Sequence, residues 1–208
     1  MLRYPPKGGI KKMKKILAIL MALTLALPTL AAAEQRDIAD ILREDKTTQA
    51  FTDDPVNEDD LTKIVEAGMN APSAMNSQPW HFTVVTNADV LAQMNGESFA
   101  SDSVKAGVAD AAAAIVISSQ TGDFAQFDCG EACGWMNAAA RSLGYGTKVV
   151  AAPRNNINGN AELEAALGIP EDMDVVAILL VGVTDTSIDG ATGSTGRIAF
   201  DEAVTYVK

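Results

Sequence analysis

Two runs of this chain, residues 112–118 and 175–183, are almost continuously apolar and rich in Val and Ile. Successive residues of a strand point to opposite faces, so a strand that is apolar throughout must be covered on both sides. That requirement leaves few architectures. Residues 81–86, β-branched or aromatic, and residues 147–151 supply two further strands. Together they predict an α+β fold, α/β-like in having three layers, with a mixed central β-sheet flanked by helices.

The covering helices are legible from apolar spacing. Residues 37–43 place Ile38, Ile41 and Leu42 on one side of a short helix. A stronger one begins at Asn57, a good N-cap, with Glu58, Asp59 and Asp60 in its first turn and Leu61, Ile64, Val65, Gly68 and Met69 at helical spacing. Asn87 or Asp89 caps another after the first strand. Residues 132–143 form an Ala-rich helix stopped by Gly144, expected to be central and buried, and residues 161–167 form a short one before the last strand. Trp80 and Trp135 sit inside apolar segments and are expected in the core.

The N-terminus has a different logic. Lys11, Lys12, Lys14 and Lys15 precede an apolar run over residues 16–27, and Ala31-Ala32-Ala33 offers the small residues at which signal peptidase cuts. The expectation is a signal peptide over residues 1–33, with Met13 an alternative start, and one domain over residues 34–208. Residues 16–33 approach the length of a membrane span, but Pro28 and the small-residue site favour cleavage, leaving no membrane segment. Export places the chain in the periplasm or outside the cell. Residues 1–33 hold six of the 16 Lys and Arg and none of the 27 Asp and Glu, so the remainder, ten basic against 27 acidic, carries a net charge of −17. Such a surface excludes nucleic acid as a partner. Cys129 and Cys133, four apart on a helix with Cα atoms roughly 6 Å apart, are either a strained local disulfide or two small residues on a helix face.

Chemistry concentrates in Ala71-Pro72-Ser73-Ala74-Met75-Asn76-Ser77-Gln78-Pro79-Trp80-His81-Phe82, between a helix and a strand. Pro72 and Pro79 stiffen the connection, and Ser73, Asn76 and Gln78 present hydroxyl and amide groups suited to the polar edge of a flat heterocycle. This segment resembles that of the FMN-dependent nitroreductase family, in which Pro-Ser-x-x-Asn-x-Gln-Pro-Trp lines the flavin. Further similarity lies in Phe51-Thr52-Asp53-Asp54-Pro55-Val56, in Ala138-Ala139-Ala140-Arg141-Ser142-Leu143-Gly144-Tyr145-Gly146, in Gly168-Ile169-Pro170 and in Leu180-Val181-Gly182.

The resemblance implies a bound FMN and a homodimer whose C-terminal segment extends over the partner subunit. Pro72, Ser73, Ala74, Met75, Asn76 and Gln78 would line the ring, Gly146 would belong to the site, and backbone near residues 150–153 would face the reactive centre. Lys46, Thr47, Gln49 and Arg197 would serve the phosphate. Family members carry a basic, hydroxyl, basic pattern there. This chain has Asp45, Thr47 and Gln49, so one carboxylate faces the expected phosphate position and Lys46 is the substitute base. The implied activity is ping-pong transfer of two electrons from NAD(P)H or another donor to a small-molecule acceptor such as a nitroaromatic or a quinone. Residues 96–105 and the partner subunit would set the choice of substrate. The alternative is an exported, non-redox flavin- or small-ligand-binding module on the same fold, motivated by Asp45 and Gln49.

Other chemistries fail by counting. His81 is the sole histidine and sits in a strand, which leaves neither a Ser-His-Asp arrangement nor a zinc ligand set. Gly144-x-Gly146 follows a helix, whereas a dinucleotide fingerprint follows a strand, so it reads as a helix stop.

Overall fold

The computed structural model describes residues 37–95, 107–188, 190–193 and 196–208. Residues 1–33 and 96–105 therefore lie outside the described residues. Residues 36–208 form one compact unit. The strands are β1 (Thr47–Thr48), β2 (Trp80–Val85), β3 (Ala113–Gln120), β4 (Gly146–Val150), β5 (Met173–Gly182) and β6 (Thr192–Gly193). The helices are α1 (Ile38–Glu44), α2 (Glu58–Met69), α3 (Ala88–Asn95), α4 (Ala125–Ser142), α5 (Arg154–Ile157), α6 (Ala161–Leu167) and α7 (Phe200–Ala203). Among the described residues no helix is long and apolar enough to cross a membrane.

Four strands form the central sheet in the order β2-β3-β5-β4. Every ladder in it is antiparallel, with Val84 opposite Ile115, Ile115 opposite Leu179 and Leu179 opposite Val149. The strand directions thus differ from the mixed sheet expected. Apolar content reports that both faces are covered but says nothing about strand direction. The covering itself is as expected: Ile115, Val116 and Ile117 are all fully buried. Val116, Ile178 and Leu180 pack on one face against Leu91, Met94, Ile157, Leu163 and Leu167 from α3, α5 and α6. Ile115, Ile117, Leu179 and Val181 pack on the other against Leu61, Ile64, Cys129 and Met136 from α2 and α4. Full burial of such a side chain is worth about 1.5–3 kcal/mol, so these two layers supply most of the drive to fold.

The α2 helix is capped as its sequence demands, Asn57 Oδ1 accepting the amides of Asp59 and Asp60. It crosses α4 closely: a Cβ on Gly68 would meet Met136 Cγ at 2.6 Å. Helix α4 departs from expectation twice. It starts at Ala125 rather than residue 132, because Asp128, Gly130 and Glu131 mask the periodicity of its first turns. It is also not buried all round. Ala125, Cys129, Ala132, Cys133, Met136 and Ala140 are buried, while Phe127, Gly130, Gly134 and Trp135 are exposed, Trp135 at 45 %. The two cysteines are free and buried.

A second, two-stranded sheet pairs β1 with β6. The segment after β5 folds back along the entry segment: Thr52 N–H donates to Val183 O, Asp185 N–H to Ala50 O and Gln49 N–H to Ala191 O. Its Gly, Thr and Ser content carries no strand signal, because a ladder of two residues leaves no period to detect.

Candidate functional site

The Pro72–Gln78 segment forms a tight turn between α2 and β2, with a single 3₁₀ turn over Ala74–Asn76. Three of its non-glycine residues adopt the left-handed region, Met75 at φ 53°, Asn76 at φ 56° and Gln78 at φ 46°. Asn tolerates this backbone; Met and Gln do not gain from it, and each such residue costs about 1–2 kcal/mol. The turn is therefore held in place by other contacts. Ser73 Oγ accepts the Gln78 N–H at 3.0 Å, closing the loop internally while its own O–H remains a donor. The Ala74 N–H donates to Asp128 Oδ1 of α4 at 3.1 Å. Asn76 and Gln78 are exposed, and Met75 is 96 % exposed.

At the other end of α4 a polar network fixes the chain between α1 and β1. Arg141 Nε lies 2.7 Å from Asp45 Oδ1, an ion pair off the N–H axis and so electrostatic in character rather than an aligned hydrogen bond. The Arg141 guanidinium also donates to the carbonyls of Lys46 and Thr147. Asn137 Nδ2 donates to Asp45 Oδ2 at 3.2 Å, and Thr147 Oγ1 donates to Asn137 Oδ1. Burial pulls the Arg141 guanidinium below its ordinary pKa, and the Asp45 charge offsets part of that. Asp45 thus faces α4 with its charge compensated. Its carboxylate, expected to face the phosphate position, is committed to Arg141 and Asn137. Lys46 and Thr47 are exposed beside it, and Gln49 is half-buried against Gly193.

The sequence profile of the Nitroreductase family matches residues 42–114, which run from α1 through the motif turn into β3. A protein of Archaeoglobus fulgidus named putative NADH dehydrogenase/NAD(P)H nitroreductase is 33 % identical over 143 residues, 66 % of this chain and 79 % of that one. The chain belongs to the nitroreductase family. A Bacillus subtilis protein named FMN reductase [NAD(P)H] is 28 % identical over 162 residues, 68 % of this chain and 63 % of that one. Among solved structures, a Bacteroides fragilis nitroreductase with bound FMN superposes with a TM-score of 0.69 at 24 % identity, over 83 % of this chain and all of that one. One from Desulfitobacterium hafniense, also with FMN, gives 0.70 at 23 % identity, over 83 % and 99 %. At these identities the structures establish the nitroreductase fold.

Within that fold the expected site residues fall into three places. Pro72, Ser73, Ala74, Met75, Asn76 and Gln78 form the turn at the first end of α4, and Lys46, Thr47 and Gln49 lie by its last turns. Arg197 is exposed in the C-terminal segment. Gly146 is enclosed: a Cβ there would meet Thr184 Oγ1 at 2.2 Å and Thr48 Oγ1 at 2.6 Å, so packing of β4 against β1 accounts for the glycine. Trp135, expected in the core, is on the outer face of α4. His81 is half-buried in β2, where its carbonyl accepts Ser118 Oγ. Sequence reasoning passed over Asp128, Asn137 and Arg141, the residues that tie both segments to α4. An acid and an arginine in an otherwise Ala-, Cys- and Met-lined helix were the available signal.

Proposed function

We propose that this member of the nitroreductase family is an FMN-dependent oxidoreductase that transfers two electrons from NAD(P)H or another donor to a nitroaromatic, a quinone or a similar acceptor. The observation that carries it is the strained turn at Ser73–Gln78, where Met75, Asn76 and Gln78 hold left-handed backbone and the Asn76 and Gln78 side chains are exposed. The names of its relatives point the same way. The residues fit the cofactor. Ser73, Asn76 and Gln78 would hydrogen-bond the polar edge of the ring, and Lys46, Thr47, Gln49 and Arg197 would hold the phosphate, with Asp45 neutralised by Arg141. When bound, FMN supplies a two-electron carrier, so the chain needs no acid, base or nucleophile of its own. Its residues bind, orient and shield. Two substrates taking turns at one site would give parallel double-reciprocal plots. The non-redox alternative drew on Asp45 and Gln49 standing where bases are usual; the pairing with Arg141 compensates the Asp45 charge, while Gln49 still brings no positive charge.

The reading includes a homodimer. Asp128 and Arg141 are separated by about 20 Å along the axis of α4, so the turn and the Lys46–Gln49 segment sit at opposite ends of one helix. A second copy lying antiparallel along α4 would bring the turn of one protomer to the phosphate residues of the other. Phe127 and Trp135 offer that copy an apolar face, and Gly130 and Gly134, with open space where a side chain would be, permit close approach. In the C-terminal segment Ile198, Phe200, Tyr206 and Val207 are exposed, material suited to lying over a partner. The reading also includes export with removal of residues 1–33, which N-terminal sequencing of the secreted protein checks.

The deciding experiment is a visible spectrum of the purified protein before and after FMN addition. The expected result is a flavin spectrum that bleaches on adding a reductant, weakened in Asn76→Ala and Arg197→Ala. A colourless protein that takes up no FMN at micromolar concentration sinks the reading.

A further inference from the structure

Asp128 is a carboxylate in the first turn of α4, 2 % exposed, and the sequence motif does not include it. Its Oδ1 accepts the Ala74 N–H at 3.1 Å; its Oδ2 is buried with no partner. Burying a charge for one hydrogen bond is unfavourable, and the favourable field at a helix N-terminus offsets only part of it. A group kept at that cost needs a task. Among the described residues, the bond to Ala74 is the one hydrogen bond that leaves residues 72–78 for another element; the remaining ones, Asn76 N–H to Ser73 O, Ser77 N–H to Ala74 O, Gln78 N–H to Ser73 Oγ and Gln78 Nε2 to Asn76 O, are internal. Immediately after Ala74 the backbone turns left-handed at Met75 and Asn76. Without a tether at Ala74, those residues would relax toward ordinary backbone angles and carry Asn76 and Gln78 with them.

We propose that Asp128 is the positioning residue of the Pro72–Gln78 turn, holding its left-handed segment in the ligand-ready shape before any ligand binds. It touches no ligand itself. The role rests on the reading of this turn as the flavin-binding element, but its effect on the free protein does not.

The test is backbone amide hydrogen exchange on the ligand-free mature protein, alongside FMN titration by flavin fluorescence, for wild type, Asp128→Ala and Asp128→Asn. Asp128→Ala is expected to speed exchange at residues 73–78 by about tenfold or more while the amides of α4 beyond its first turn and of β3 and β5 keep their protection. FMN affinity should fall by about the same factor, because the competent shape is then only fractionally populated. Asp128→Asn keeps an acceptor for the Ala74 N–H and should stay within about threefold of wild type in both measurements. Unchanged exchange at 73–78 in Asp128→Ala overturns the proposal whatever happens to FMN. Equal acceleration across the whole sheet in both variants also overturns it, since it makes Asp128 a general core residue. If even wild type takes up no FMN while exchange rises only at 73–78, the tether stands and the flavin reading falls.

Discussion

The two ends of α4 hold their neighbours by different means. At the first end a single buried carboxylate pins a strained turn whose side chains remain exposed. At the other, Asp45, Asn137, Arg141 and Thr147 are linked by an ion pair and hydrogen bonds, with Lys46 and Thr47 exposed beside them. The first end stores free energy in its backbone; the second spends its polar groups on cohesion. A ligand site built from both would therefore have one pre-shaped wall and one nearly neutral wall. On the proposed reading the turn would shape the ligand site, whereas the Arg141 end serves cohesion of the fold.

The largest effect expected from this contrast is at Arg141. Removing its guanidinium leaves Asp45 partly buried without its counter-charge and the Lys46 and Thr147 carbonyls without a donor, which costs about 2–4 kcal/mol. Arg141→Ala should lower the chemical denaturation midpoint accordingly, and adding Asp45→Asn should recover part of the loss. If Arg141→Ala loses less stability than Asp128→Ala, the assignment of cohesion to this end is wrong.

What the sequence disclosed follows the same division. The motif turn was legible because its chemistry is local: two prolines, a serine and two amides within a few residues. The central strands were legible because burial on both faces leaves no polar position, and α2 because Asn57 and three acids mark its start. The Arg141 end was not, since Asp45 and Arg141 are 96 residues apart in the chain and nothing local announces their pairing. Reading Asp45 alone as repulsive treated a side chain as if it pointed to the ligand, when the fold turns it onto a helix. The outward face of α4 was misjudged for a related reason: Ala, Gly and Trp are compatible with a core and equally with a surface awaiting a partner.

A second effect lies between the two ends and should disturb both. Burial on α4, with the nearby Cys129 contributing, pushes the Cys133 thiol from its ordinary value of 9.0 up to about 11. The unfolded chain ionises first as pH rises, so the folded state is fully favoured below pH 9.0 and loses that advantage between there and about pH 11. The shift corresponds to about 2–3 kcal/mol. Denaturation at mildly and strongly alkaline pH should show that decline in wild type and a flatter profile in Cys133→Ala. An identical alkaline decline in both proteins would remove the thiol from the account.

The smallest effect is the sharpest test of strain at the turn, because its sign is opposite. Met75 is 96 % exposed with φ at 53°, so its side chain contributes almost nothing to packing while its Cβ penalises the backbone. Glycine removes that penalty of about 1–2 kcal/mol but gives the unfolded chain more freedom, worth about 0.5–1 kcal/mol. Met75→Gly is therefore expected to stabilise the free protein by about 0.5–1 kcal/mol in chemical denaturation. Most substitutions of a native residue destabilise, so a gain here has few other sources. The same change should leave Arg141→Ala as costly as before, since the two lie at opposite ends of α4 and share no partner. A loss of stability in Met75→Gly would mean that the left-handed turn carries no strain, and with it the contrast between a strained end and a cohesive end disappears.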